Sequence, residues 1–124
     1  MSSAGSLKQK IRQFIDEILT VPGVHECALV SNDGILIGKT FEDSISAQSF
    51  GAMCATMIAS SEAAASVVNV DSPLWVLVKG ATKTIIVVGA GPRLLIAVIA
   101  AKDVDPEATC SALLKIGERI GGAL

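Results

Sequence analysis

Large apolar residues recur at Leu7, Ile11, Phe14, Ile15, Ile18 and Leu19, spacings that lay one stripe along a helix. Lys8, Lys10, Arg12, Gln13, Asp16 and Glu17 fill the remaining, solvated face. Ser6 reads as the N-cap, with Gln9 at the reciprocal capping-box position, and residues 1–5 read as a frayed end. Val21-Pro22-Gly23 ends the helix, because proline disfavours helical geometry in the residue before it and glycine frees the turn after it. Val24 to Ser31 then alternates as a strand, with His25, Cys27 and Leu29 expected on one face and Ala28 and Val30 on the other. Asn32-Asp33-Gly34 predicts a tight turn into a second strand from Ile35 to Gly38.

The next segment breaks the pattern. From Ser44 to Ser61 there is no formal charge, and Glu62 is the first. Ala, Ser and Gly dominate, and Phe50, Met53, Met57 and Ile58 recur at helical spacing, so the segment predicts a helix with its large side chains on one face. Asp43, Ser44 or Ser46 supplies the cap. A helix without a charged face has to be covered, either by its own domain on all sides or by a second chain; the expectation here is a sheet on one side and a twin of the helix on the other. Three strands follow, Leu74 to Lys79, Thr84 to Val88 and Leu94 to Ala101, joined by turns short enough to force antiparallel neighbours. The last two are apolar on both faces, which places helices on both sides of the sheet. Asp105-Pro106-Glu107 opens a final helix with the stripe Cys110, Leu113, Ile116, Gly117 and Ile120, and Gly121-Gly122 is expected to end it. The order is α-β-β-α-β-β-β-α: a three-layer α/β/α sandwich on a five-stranded antiparallel sheet, in one domain spanning residues 1–124.

Composition sharpens this. Half of the 124 residues are apolar, too many for a disordered chain and enough to suggest an oligomer interface. Lys and Arg number only 10 and are scattered, with three Phe, one Trp and no Tyr, so no basic or aromatic platform for nucleic acid exists. The N-terminus does not read as a signal peptide, and three widely spaced cysteines at no metal-ligand spacing point to a reduced, cytoplasmic protein. Ala47 to Val68 has the length of a membrane span, but Gln48, Ser49, Thr56, Ser60, Ser61, Glu62 and Ser66 make it too polar for a lone one.

Candidate chemistry is thin. His25 is the sole histidine and has no nucleophile motif beside it. Asp33 is a lone carboxylate in a hairpin turn, so neither it nor the separate Asp71, Asp103 and Asp105 indicates a metal. Gly89-Ala90-Gly91 leads through Pro92 into a strand, whereas a phosphate-cradling loop leads into a helix, and no nucleotide cofactor is expected. Met53, Met57 and Trp75 suit either packing or a binding surface. No catalytic residue, metal or cofactor is assigned, and the chain reads as a non-enzyme.

Ile18-Leu19-Thr20-Val21-Pro22-Gly23-Val24, continuing into Ala28 to Ile37 with its Ser-Asn-Asp-Gly turn, the small-residue central helix and the three-strand meander together resemble the roadblock/LC7 domain. That family includes dynein light chains and is related in fold to longin and profilin-like domains; the resemblance spans residues 7–122. It implies a non-catalytic scaffold or regulator that dimerises with itself or another roadblock chain, with central helices side by side and edge strands paired, and that binds or regulates a Ras-like small GTPase. Carried onto this chain, the helical interface is Phe50, Met53, Met57 and Ser61, with Gly51 and Ala55 allowing close approach, and the pairing edge is Leu74, Trp75, Val76, Leu77, Val78 and Lys79. The arginines are Arg12, Arg93 and Arg119, none on the central helix, so an arginine finger from that helix is not expected. The alternative is a small-molecule sensor of the same shape, which requires an apolar pocket within one subunit.

Overall fold

The computed structural model describes residues 3–124, with side chains from Ser6 onward. Its elements are α1 (Ser3–Leu19), β1 (Val24–Ser31), β2 (Leu36–Lys39), α2 (Ser44–Val67), β3 (Trp75–Lys79), β4 (Lys83–Ala90), β5 (Leu94–Ala101) and α3 (Pro106–Ala123), in the expected order. Met1 and Ser2, part of the expected frayed end, lie outside the described residues. Ser6 sits within α1 rather than capping it. Nothing upstream stops the helix there: Ala4 is a strong helix former, and Gly5 costs only about 1 kcal/mol.

The strands form one antiparallel sheet in the order β2-β1-β5-β4-β3. β1 and β5 lie at its centre, so their alternating residues build two cores. On one face Cys27, Leu29, Ile86, Val88, Ile96, Val98 and Ala100 meet Ile15 and Ile18 of α1 and Cys110, Leu113, Ile116 and Ile120 of α3. On the other, Ala28, Val30, Val87, Leu95 and Ala97 meet Cys54, Ala55 and Ile58 of α2. The layers are α/β/α, as strands apolar on both faces require.

Turn chemistry sets the register. Gly23 at φ 87° follows Pro22, and its carbonyl accepts from Ala101 N at 2.8 Å, tying the α1–β1 turn to the end of β5. Gly34, also at φ 87°, closes the β1–β2 turn, where Ser31 N donates to Ile35 O at 2.8 Å. Asn32 reaches across to the β4–β5 turn: its N donates to Arg93 O at 2.9 Å and its Nδ2 to Pro92 O at 2.6 Å. The two hairpin tips are thereby fastened together.

α3 passes through Gly121-Gly122 and ends at Ala123 rather than at the glycines. These small residues bring α3 onto the β4–β5 hairpin. A Cβ on Gly117 would stand 2.5 Å from Gly89 O, and one on Gly91 would stand 2.5 Å from Gly121 Cα. The glycines here serve close backbone approach, and the sequence pattern for a helix stop is the same.

Candidate interaction surface

α2 is held to the sheet by its smallest residues. Asp43 caps it, with Oδ1 accepting from Ile45 N at 3.0 Å and Ser46 N at 3.3 Å and Oδ2 accepting from Ser46 Oγ at 2.8 Å. Ala47, Gly51, Cys54, Ala55 and Ile58 then face the strands. A Cβ on Gly51 would lie 3.2 Å from Val30 Cγ2, so the helix axis sits close to the sheet. The expectation that Gly51 and Ala55 open the helix to a partner is therefore corrected: both are turned inward and let α2 approach its own sheet.

The large residues do not share a face. Ile58 is buried against the sheet and Phe50 and Met57 are half-buried on the flank, whereas Met53 is 65% exposed. Phe50 stacks on Phe41, with ring centroids 5.2 Å apart, so it is engaged within its own chain. Ser61 is half-buried, and its Oγ donates to Met57 O at 2.9 Å. Of the predicted helical set, Met53 is the one that stands clear.

Periodicity of large residues did not reveal the outward face. It runs through Ile45, Ser49, Met53, Thr56, Ser60, Ala63 and Val67, all exposed and none charged. Thr56 Oγ1 folds back to donate to Ala52 O at 3.0 Å, so even that hydroxyl is spent on its own helix. Ile45 and Val67 are about four-fifths exposed. Among the described residues α2 is the one helix long and apolar enough to cross a membrane, with mean hydropathy 1.2, yet only 22% of its most apolar window is buried. Absence of charge along these seven positions, rather than bulk, is the signal that marks the face.

The sheet has two edges, and they differ. β2 is four residues long, its pairing with β1 shifts register between Leu29 and Val30, and Lys39 Nζ folds back onto Phe41 O at 2.5 Å. A short, irregular edge is protected against added strands. β3 pairs with β4 without interruption from Trp75 to Lys79, and its far side is open. Trp75, Val76 and Leu77 are half-buried, and Val78 and Lys79 are exposed. Leu74, expected within the strand, precedes it and is 67% exposed. On the α2 side of the sheet Val78, Ile85 and Ile99 stand in register across three strands and are incompletely covered. Met57, Val76 and Ile85 pack at the margin of the α2 core, so the helix flank and the β3 edge belong to one surface.

Other candidates are not assembled. His25 is exposed, while Cys27, Cys54 and Cys110 are all fully buried. Burial pushes the Cys27 thiol up to about 12, with Asp16 and Glu26 adding to it; burial alone pushes Cys54 up to about 12 and Cys110 up to about 11. Such thiols are not nucleophiles near neutral pH. Asp33 stays in its turn, and among the described residues no three His, Cys, Asp or Glu side chains gather. A hollow of about 780 Å³ lies between α1 and β2, away from the α2–β3 surface. Lys8, Arg12, Asp16 and Lys39 line it and it is open to solvent, unlike an enclosed apolar pocket.

The Roadblock/LC7 domain family matches residues 10–100, leaving α3 beyond the match. A search of curated proteins by sequence returns no match. Among solved structures, a Roadblock/LC7 domain from Streptomyces avermitilis superposes with a TM-score of 0.81 at 18% identity, covering 90% of this chain and 94% of that one. MglB from Myxococcus xanthus gives 0.80 at 17% identity, with 92% and 94% covered. Profilin II from Acanthamoeba castellanii gives 0.62 at 13% identity, with 90% and 96% covered, so the likeness to it is one of fold. With the family match spanning most of the chain and the layered fold agreeing throughout, this chain belongs to the Roadblock/LC7 domain family.

Proposed function

We propose that this chain is a non-catalytic regulatory scaffold. It forms a homodimer through the outward face of α2 and the open edge of β3, and the assembled pair binds a Ras-like small GTPase. The observation that carries the reading is the uncharged, exposed α2 face lying beside an unprotected strand edge. Covering side chains such as Ile45, Met53 and Val67 is worth roughly 1.5–3 kcal/mol each, ahead of the cost of association. One related structure is described as MglB with a tetrameric arrangement, which supports self-assembly as a habit of such chains. The GTPase follows from the family resemblance set out above. The free, buried thiols fit a reducing cytoplasm.

The scaffold acts by holding its partner rather than by supplying an arginine. Arg12 is on α1, Arg93 is in the β4–β5 turn donating to Leu124 O, and Arg119 on α3 is paired with Glu17. None lies on α2. The partner's own residues therefore carry any nucleotide chemistry.

The test is capture from an extract of the source cells on immobilised protein, in GDP and in a non-hydrolysable GTP analogue, with Met53→Glu as the control. A Ras-like GTPase retained by the native chain and lost by the variant is the expected result. Equal retention in both nucleotides makes the chain a tether indifferent to the switch. Retention of no GTPase by the native chain removes that part of the reading.

A further inference from the structure

The hollow between α1 and β2 brings together a free stretch of backbone, two cations and an aliphatic wall. The backbone is placed by the hydrogen bonds around it. Asn32 N donates to Arg93 O at 2.9 Å, continuing the register that pairs Ser31 with Leu94. Bonded and non-bonded pairs alternate along an antiparallel ladder, so Ala28 and Val30 direct their backbone groups at β5. On the other side Thr40 N donates to Cys27 O at 3.0 Å, so Cys27 and Leu29 direct theirs at β2, and the two observations agree. Lys39 stands opposite Ala28. Its N–H and C=O therefore turn away from β1 and out of the sheet edge, where Lys39 lines the hollow. The shift of register puts the next outward residue, Leu36, three positions away rather than two, so a continuous strand cannot add there. A single residue of an extended segment can.

Lys8 and Arg12 of α1 line the same hollow. Both are exposed, and among the described residues neither forms an ion pair. Like charges four positions apart on a helix repel, so this placement does α1 no service. Asp16 lines the far end, eight residues from Lys8 and so about 12 Å along the helix. Ile11 and Ile15 supply the aliphatic wall. The Lys39 ammonium is turned onto Phe41 O and is not counted among the free cations. A length of about 12 Å accommodates three or four residues of extended chain.

We propose that this hollow receives a short, extended, acidic segment of a partner protein. One residue of the segment pairs with the N–H and C=O of Lys39, a carboxylate beside it meets Lys8 and Arg12, and an aliphatic side chain rests on Ile11. Main-chain bonds supply affinity and the side chains supply selection, the division of labour usual where a peptide meets a sheet edge. Asp16 repels a carboxylate at its own end and so sets which way the segment lies. An anionic bilayer fits less well, because the site is recessed and holds Asp16. A free phosphate would leave the Lys39 C=O and the aliphatic wall unused. The hollow lies away from the α2–β3 surface, so this contact does not depend on the homodimer proposed above.

Amide resonances of the isotope-labelled full chain read the contact. The probes are a pool of capped peptides of about six residues built from Glu, Asp, Leu and Val, and a matched pool with Lys and Arg in place of the acids. The expected result is that the acidic pool moves the signals of Lys8, Arg12 and Lys39 and slows exchange of the Lys39 amide at least about ten-fold, while the basic pool does neither. Lys8→Glu with Arg12→Glu should weaken binding at least about ten-fold. Lys83→Glu with Lys102→Glu, the same charge change at the opposite end of the strands, should leave it within about two-fold. Lys39→Pro removes an N–H that bonds nothing in the sheet, so it should fold and lose binding, whereas Lys39→Ala should bind like the native chain. Signals unmoved by the acidic pool at about 1 mM, or moved as far by the basic pool, overturn the proposal. So does a Lys39 amide already protected in the free chain, or a Lys39→Pro chain that does not fold, since either places that N–H inside the sheet. Loss of the same signals on vesicles of phosphatidylcholine and phosphatidylglycerol, with no response to the peptides, would assign the surface to a membrane instead.

Discussion

At the scale of single residues, volume rather than chemistry does most of the positioning. Gly51 lets α2 settle on Val30, and Gly117 lets α3 settle on the β4–β5 hairpin. Each glycine inside a helix gives up about 1 kcal/mol of helix propensity relative to alanine. At Gly117 that loss is outweighed, because a Cβ would stand 2.5 Å from Gly89 O and 3.3 Å from Ala90 Cα, both backbone atoms. Gly117→Ala is therefore expected to destabilise the fold by a net of about 1–2 kcal/mol, overpacking exceeding the propensity gain. Gly122 is the matched comparison, since a Cβ there meets nothing within 4 Å. Gly122→Ala should leave the melting temperature unchanged or raise it, while Gly117→Ala lowers it by several degrees. If calorimetry gave both variants the same melting temperature, the close approach of α3 to the hairpin would not be what holds that glycine. Residue size also explains why the outward face of α2 is only partly legible in the sequence. The periodicity of Phe50, Met53, Met57 and Ile58 identifies a helix, but the residues nearest a flat sheet are the small ones, so the large ones spread over buried, flanking and exposed positions. Only Met53 of that set faces outward.

Among the elements, those with two independent signals were read closely and those with one were not. β1 and β5 match their expected spans because alternation or continuous apolarity is bounded on both sides by turn residues. The start of α3 matches because Asp105 caps it and Pro106 fits its first turn. The start of α1 and the end of α3 differ because a serine or a glycine pair is a weak mark when no tertiary contact requires a stop. For α2, Asp43 was one of three candidate caps, and the structure selects it. Its carboxyl is held below the usual carboxylate range, first by the Ser46 hydroxyl, then by the backbone N–H groups of Ser46 and Ile45, with Lys39 adding to this. A group lowered on folding stabilises the native state above its unfolded pKa, and that contribution fades as pH falls through the lower, folded value. Asp43→Ala should accordingly melt below the native chain at neutral pH, and the gap should close as the solution is acidified below about pH 3.8. Asp43→Asn, which can still cap, should lie between the two at neutral pH. A gap that persisted undiminished in acid would mean that the carboxylate charge contributes nothing to holding α2.

For the molecule as a whole, the distribution of charge decides how it meets its partners. The α1 and α3 layer carries its ions outward and ties itself with a surface pair, Arg119 to Glu17, of the kind that salt screens. The α2 layer has no charged residue along its outward stripe, and β3 adds one, Lys79, at its end. An association built on such a surface draws on apolar burial and backbone hydrogen bonds, neither of which is screened by a Debye atmosphere of about 3 Å at 1 M salt. The proposed dimer should therefore dissociate on dilution with a constant that changes by less than about three-fold between 0.1 M and 1 M sodium chloride, since Lys79 is the one charge on that surface. Met53→Glu should behave differently. A carboxylate forced into the dry face weakens association by about a hundred-fold or more, while the 65% exposure of Met53 in the single chain leaves the monomer folded. Sedimentation over a dilution series separates the cases. A native dimer that falls apart in high salt would show that ion pairs hold the subunits, and the joining surface would then be sought on the α1 and α3 side. A dimer indifferent to salt but split by one buried carboxylate requires the uncharged face of α2.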